Sequence, residues 1–350
     1  VITRNPVSKI LSRPASAEPE PVATVRGEVS AVLARFGHEA GHYSVLGPDP
    51  WQVVWNDDRS GFMGFLSGRR VLVSWRSPVA EPAEQPGLLA RLVDYAEGAR
   101  KPLLALEVNE AVREAGAAFG MTVMWSGNES LVDLSRWSLS GGRRQKLRWA
   151  RNHARSLGVR WREADPLRSA VDRRALTLVE SAWKEARPER RTTSFLRTDL
   201  MQLAEHRRYF ASEGDDGVTS FVSCTPVNER GWYLQDIVRL PGAPRGSLEG
   251  AMALALDTFR DAGYEFASNG PLPFWRPEDG WSDPHELGPL GRRVFAYFDR
   301  QYRFSGINQF RSKVEPDRTI PLYVLRTRRL ISPGVARSLQ RMLNDGDGGA

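Results

Sequence analysis

The sequence predicts two mixed α/β units in tandem (α/β, or α+β in the broader sense), each a mostly antiparallel sheet flanked by helices. Three observations predict it. Strand-length apolar runs alternate with helix-length amphipathic segments. The 350 residues suffice for two ordinary domains. A basic stretch at 141–163 divides the elements into two series of similar size.

Taken in order, residues 1–26 carry Pro6, Pro14, Pro19 and Pro21 among small and charged residues, which predicts a disordered leader. The first unit, 27–140, opens with an amphipathic helix over 28–36 and strands at 52–56, 61–67 and 70–75. A helix over 87–98, the strand LLALEV (103–108), a helix over 110–119 and strands at 121–126 and 130–134 complete it. The second unit, 141–330, starts with a basic helix and a strand at 159–163, then helices over 167–186 and 199–210. Strands at 217–224 and 231–239, a helix over 246–262 and a strand at 264–268 follow. A loop over 268–286 is too rich in proline and glycine for regular structure; a helix near 287–300 and a strand near 319–326 close the unit. Residues 331–350 read as a short helix near 334–343 and a disordered tail.

With 41% hydrophobic and 26% charged residues, the composition is that of a soluble globular protein. A net charge of +7 points to an anionic partner, nucleic acid or an anionic lipid surface. The single Cys224 precludes an intrachain disulfide and a cysteine-rich metal cage, and its apolar run predicts a buried, inert thiol. No run approaches the ~18 apolar residues of a membrane span, and no apolar signal core stands near the start. A cytoplasmic location is expected. His38 and His42 have no metal spacing with nearby acids, and no metal is expected.

Between Arg143 and Glu163 stand eight Lys or Arg residues and one acid. Leu147, Ala150, Ala154 and Leu157 form the stripe of a packed helix, with Gly158 placed to end it. Arg144, Arg148, Arg151 and Arg155 stand at i, i+4, i+7 and i+11, a second stripe. Like charges so spaced repel by a few tenths of a kcal/mol per pair. A polyanion along the helix would offset that cost through counterion release. The row, with Lys146, is therefore the candidate phosphate-binding surface; a solvated basic face is the alternative. Trp149, His153 and Trp161 are read either as base-stacking or as packing residues.

Four blocks, RFGHEAGHYSVLGPD, VDLSRWSLSGGRRQKLRWARNHARSLGV, DIVRLPGAPRGSLEG and YRFSGINQFRSKVEP, occur in that order. Through them, and across most of 28–328, the sequence resembles the catalytic domain of the phosphatidylglycerol lysyl/alanyltransferases, the multiple peptide resistance factor family. The resemblance implies a tandem pair of acetyltransferase-like (GNAT) domains. It also implies transfer of an aminoacyl group from aminoacyl-tRNA to an acceptor hydroxyl, with the basic helix receiving the tRNA and no bound cofactor. Acetyl-CoA enzymes hold pyrophosphate on a glycine-rich loop at a helix N-terminus. Here Arg245-Gly246-Ser247-Leu248-Glu249-Gly250 lacks the middle glycine and places Glu249 in the first helical turn, which favours aminoacyl-tRNA as donor.

By the same resemblance, Asp236 is the candidate for positioning or deprotonating the acceptor, Arg239 for the tRNA 3′-end or the oxyanion, and Lys313 for the same catalytic site. On a regular strand residues three apart face opposite sides, so joint action of Asp236 and Arg239 requires a bulge or a strand end. Arg311 is expected beside Lys313 on one strand face, binding a terminal phosphate. Asn269, Phe274, Trp275 and Trp281 are the expected acceptor pocket, with His285 a weaker candidate base. The expected acceptor is the hydroxyl or amine of a small molecule. The alternatives are phosphatidylglycerol at the membrane's inner face, an acetyl-CoA-dependent N-acyltransferase and a non-catalytic tRNA-binding protein. A helix near 334–343 with Val335, Leu339 and Met342 on one face suits peripheral membrane contact. No stable protein partner is implied.

Overall fold

A computed structural model describes residues 18–186, 200–201, 203–274 and 304–327, together with Gly334 and Ser338. Twelve strands form one sheet, in the order β1-β2-β3-β4-β5-β12-β6-β11-β10-β9-β8-β7. The first half comprises β1 (Glu20–Pro21), α1 (Val22–Phe36), β2 (Gln52–Trp55), β3 (Phe62–Ser67), β4 (Leu72–Trp75), α2 (Gln85–Gly98), β5 (Leu103–Val108), α3 (Glu110–Ala118) and β6 (Thr122–Asp133). The second comprises α4 (Gln145–Ser156), β7 (Arg160–Ala164), α5 (Ala170–Glu185), β8 (Arg208–Gly214), β9 (Gly217–Val227) and β10 (Gly231–Arg239). It continues through α6 (Ser247–Asp261), β11 (Phe266–Pro273), α7 (Phe304–Arg311) and β12 (Arg318–Arg326).

Each half has the same plan: antiparallel strands lead to one parallel crossover, β4-α2-β5 in the first and β10-α6-β11 in the second. The final strands then change places. β12, from the end of the chain, pairs with β5, and β6 pairs with β11, so the two halves interlock through the β12–β6 ladder. Separate apolar clusters cover the two faces of each half.

Local sequence explains the elements. Val22, Val25, Val29, Val32, Leu33 and Phe36 give α1 one buried stripe. Asn109 and Ser169 cap α3 and α5 by accepting from the backbone N–H of Val112 and Asp172.

Several expectations are corrected. The first helix starts at Val22 rather than 28, inside the expected leader; residues 1–17 lie outside the described residues. The two strands expected at 121–126 and 130–134 are one, because the polar run between them is buried between β11 and β12. Of the helix expected over 199–210, the end is strand β8. Tyr209 and Phe210 are adjacent and both fully buried, and they serve cores on opposite faces, which only a central strand allows. The loop expected from 268 is strand as far as Pro273. β10 pairs with β11 only through Ser268, so Pro271 and Pro273 occupy a stretch with a free edge on that side, where a missing N–H costs little. Residues 275–303, including the helix expected near 287–300, Trp275, Trp281 and His285, lie outside the described residues, as does most of 334–343.

Candidate active site

The parallel partners β10 and β11 pair over three residues, from Gly231–Phe266 to Tyr233–Ser268, and then part. Each carries an irregularity at that level. Gln235 is the extra residue of β10 against β9, and Asn269 that of β11 against β6. The bulge at Gln235 decides which side chains meet. Leu234 lies opposite Cys224 in the apolar cluster beneath α6, whereas Asp236 lies opposite Ser223. Tyr233 and Asp236 therefore share the other face.

A bulge is present, then, but it joins Asp236 to Tyr233 and not to Arg239. Pairing is regular from Asp236 to Arg239, so these two face opposite sides, and Arg239 is exposed at the strand end. Joint action of the pair is corrected accordingly.

Asp236 is held firmly. Arg207 Nη1 donates to its Oδ2, as does Ser223 Oγ at 2.7 Å, and Arg207 Nη1 also donates to Ser223 Oγ at 3.0 Å. No donor among the described residues reaches Oδ1. The first half closes on this place: Gln235 Nε2 donates to Ser44 Oγ at 3.3 Å, and Tyr43 packs on His206. Burial raises the pKa of the Tyr233 hydroxyl against the opposing pull of the nearby Arg311 and Arg76. Burial likewise holds Cys224 protonated, well above the ordinary thiol range.

The opposite face carries α6, whose N-terminus is closed by protein. Gly246 is left-handed (φ 99°), and a Cβ there would stand 1.9 Å from the carbonyl oxygen of Ala150 in α4. Gly250 packs equally tightly against the indole of Trp161, whose Nε1 donates to the Ser247 carbonyl. Lys313 Nζ donates to Glu249 Oε1 at 2.9 Å, placing an internal ion pair in the first helical turn. The Ser247 N–H donates to the Pro244 carbonyl and the Gly250 N–H to that of Gly246, and Ser247, Leu248 and Glu249 are buried, so the loop does not fit the pyrophosphate of coenzyme A.

Lys313 sits in a 3-10 turn, Ser312–Val314, after α7, and not on a strand as expected. Arg311 ends α7 and is buried, donating to the Pro271 carbonyl at 2.7 Å, so its expected role as a phosphate ligand is corrected. Asn269 Nδ2 donates to the Arg311 carbonyl and Asn308 Nδ2 to that of Pro273. Asn269 Oδ1, Asn308 Oδ1 and Arg311 Nε are buried without a hydrogen-bond partner. Three orphaned polar atoms beside the parted strands are costly to the fold alone. Phe274 stands at the strand's end, edge-on to Trp125.

The basic row of α4 is broken up. Arg144 is buried at the helix start, donating to the Val314 carbonyl and to Asp317 and lying over Trp137, so its phosphate role is corrected. Arg148 donates to the carbonyls of Leu139 and Gly141, and Arg151 faces Asp257 at 3.8 Å. Lys146 and Arg155 are exposed and have no ion-pair partner among the described residues. Sequence reasoning missed Arg207, Ser223, Tyr233 and Gln235. Only the bulge gathers them, and no periodicity signals a bulge.

The interlocked halves, each with one parallel crossover and the second opening on a carboxylate, define the tandem acetyltransferase-type α/β class. The chain belongs to the family described as phosphatidylglycerol lysyltransferase, C-terminal, whose model matches residues 49–326. It is 23% identical over 292 residues to the phosphatidylglycerol lysyltransferase of Staphylococcus aureus (strain MRSA252), covering 83% of this chain and 34% of that protein. To that of Staphylococcus haemolyticus it is 22% identical over 268 residues, 76% of this chain and 31% of that protein. The chain thus spans about a third of the length of these relatives. Two solved structures share the fold at 18% identity. One is the C-terminal domain of a putative lysylphosphatidylglycerol synthetase from Agrobacterium fabrum, with a TM-score of 0.79 over 94% of this chain and 99% of that one. The other is L-PGS from Bacillus licheniformis, with 0.75 over 95% and 99%. No helix among the described residues is long and apolar enough to cross a membrane.

Proposed function

We propose that the chain transfers an aminoacyl group from aminoacyl-tRNA to a hydroxyl of phosphatidylglycerol. The observation that carries this reading is the pairing of two sites at the parted strands. One face presents a held carboxylate, and the other presents a helix N-terminus closed to coenzyme A. The names of the relatives favour the lipid over the small-molecule acceptor expected first.

An aminoacyl ester is already activated, so the protein has only to align it, accept the nucleophile's proton and stabilise the tetrahedral oxyanion. Asp236 Oδ1 accepts the hydroxyl proton while Arg207 and Ser223 fix Oδ2. The acceptor oxygen bonds to the ester carbonyl carbon, the bond to the ribose oxygen breaks, and that oxygen leaves protonated. The backbone at the Gln235 bulge, the extra residue of β10 against β9, is the candidate oxyanion donor.

The test is transfer of labelled amino acids from a charged tRNA pool to phosphatidylglycerol vesicles. Label in extracted lipid supports the reading, label in water-soluble product restores the small-molecule acceptor, and label in neither overturns transfer. Asp236→Asn is expected to lower the rate by about 10²–10⁴-fold; an undiminished rate removes Asp236 from its role.

A further inference from the structure

We infer that Trp149, His153 and Arg245 form a stacking platform for unpaired nucleobases, the 3′ end of the RNA donor. This rests on the tRNA reading above and adds a place and a chemistry to it. Trp149 is 56% exposed and is the one aromatic among the exposed large apolar side chains of the described residues. The other two tryptophans of the region are used internally: Trp137 is buried against Arg144, and Trp161 packs under α6. Trp149 contributes nothing comparable to the core.

Its geometry is that of a prepared surface. His153 stacks on it with ring centres 5.2 Å apart and planes 6° from parallel, and the Arg245 guanidinium lies 5.8 Å from the ring centre. Arg245 is exposed in the loop before α6, with no ion-pair partner among the described residues. Lys146 stands one turn earlier on α4, Arg155 lies further along it, and α4 contains no acid. Flat π-faces edged by unneutralised cations are what a single-stranded nucleic acid requires, since every base has a face and every linkage a charge. The platform is also fixed to the candidate site, because α4 packs through Ala150 and Ala154 on Gly246 at the start of α6. The row of arginines that the sequence suggested is largely committed to the fold; the exposed stack is what remains for RNA. A tryptophan beside cations also suits a bilayer interface. Rings laid parallel, with a guanidinium over that of Trp149, fit a stacked base better than a side chain inserted among acyl chains.

Binding is measured at moderate salt for three probes: deacylated tRNA, the same tRNA trimmed of its unpaired 3′ nucleotides, and phosphatidylglycerol vesicles. Trp149→Ala is expected to weaken binding of intact tRNA about 5- to 150-fold, with Trp149→Phe restoring most of it. Trimmed tRNA should bind both proteins alike, and the salt dependence of the alanine variant should match that of the wild type. Equal binding of intact tRNA by wild type and Trp149→Ala overturns the platform while leaving the tRNA reading intact. An equal loss on trimmed tRNA, or a loss confined to vesicles, also overturns the platform. Failure of the wild type to bind tRNA at any salt overturns both. The exposed position keeps the variant folded, which a thermal melt verifies.

Discussion

The two parallel crossovers repeat one topology and treat the space beside it in opposite ways. In the first half β4 and β5 pair through four residues, and the ladder runs on as Arg76 N–H donates to the Leu106 carbonyl. Arg76 then turns into the interior in a left-handed conformation (φ 70°), fully buried, with Nη1 donating to Glu129 at 2.8 Å and Nη2 lying 3.4 Å from Glu107. In the second half the strands part after three pairs, and the matching arginine–carboxylate pair, Arg207–Asp236, keeps 18% of the aspartate side chain exposed. One pair is a sealed strut and the other a held reagent. The same fold builds either, and the choice rests on where the ladder breaks.

Substitution sharpens the contrast. The largest stability effect is expected at the sealed pair. Arg76→Leu leaves the buried Glu129 carboxyl without its cation and should cost about 3–5 kcal/mol in denaturant unfolding. Arg207→Leu, beside a carboxylate that reaches water, should cost about 1–3 kcal/mol yet lower aminoacyl transfer more than Arg76→Leu does in the protein that remains folded. A larger stability loss at Arg207 would erase the distinction.

A third effect is a pH dependence. Burial alone would raise the Glu39 carboxyl, but the hydrogen bond and charge of His42, with Arg76 and Ser77, bring it down to about 2 from an ordinary 4.5. A carboxyl depressed in the folded state stabilises the fold above its unfolded pKa. That contribution is lost as pH falls from about 4.5 toward 2. Glu39→Gln should therefore lower stability most at neutral pH, where the carboxylate's contribution is fully present, and flatten the acid limb of the stability curve over that window. An unchanged acid limb would show that Glu39 is not part of the strut.

The sequence made the strands of the first half legible because their runs are short, apolar and bounded by turns. It misread β8 because a segment that feeds two cores at once has apolar neighbours, which imitate helix periodicity. It misread β6 because Ser126, Asn128 and Glu129 are polar for the sake of the interior and resemble a turn. At the candidate site Asp236 was legible through a family block, whereas Lys313, expected at the same site, pairs with Glu249 at the start of α6 on the opposite face. Their partners Arg207 and Glu249 were not paired with them in advance, since a bulge and a helix start brought them together. The basic row was the most misleading signal. Its spacing was real, but Asp317, Asp257 and two backbone carbonyls, all distant in the chain or hidden in loops, had already claimed most of it.

The exchange of β6 and β12 has a consequence for how the molecule comes into being. The strand that completes the first half is made last, more than two hundred residues after its neighbour β5. Until β12 has been made, β5 and β6 present open backbone edges to one another across a missing slat. Assembly is therefore governed by distant pairings, a slow topology, and excising either half would leave a gap no local segment can fill.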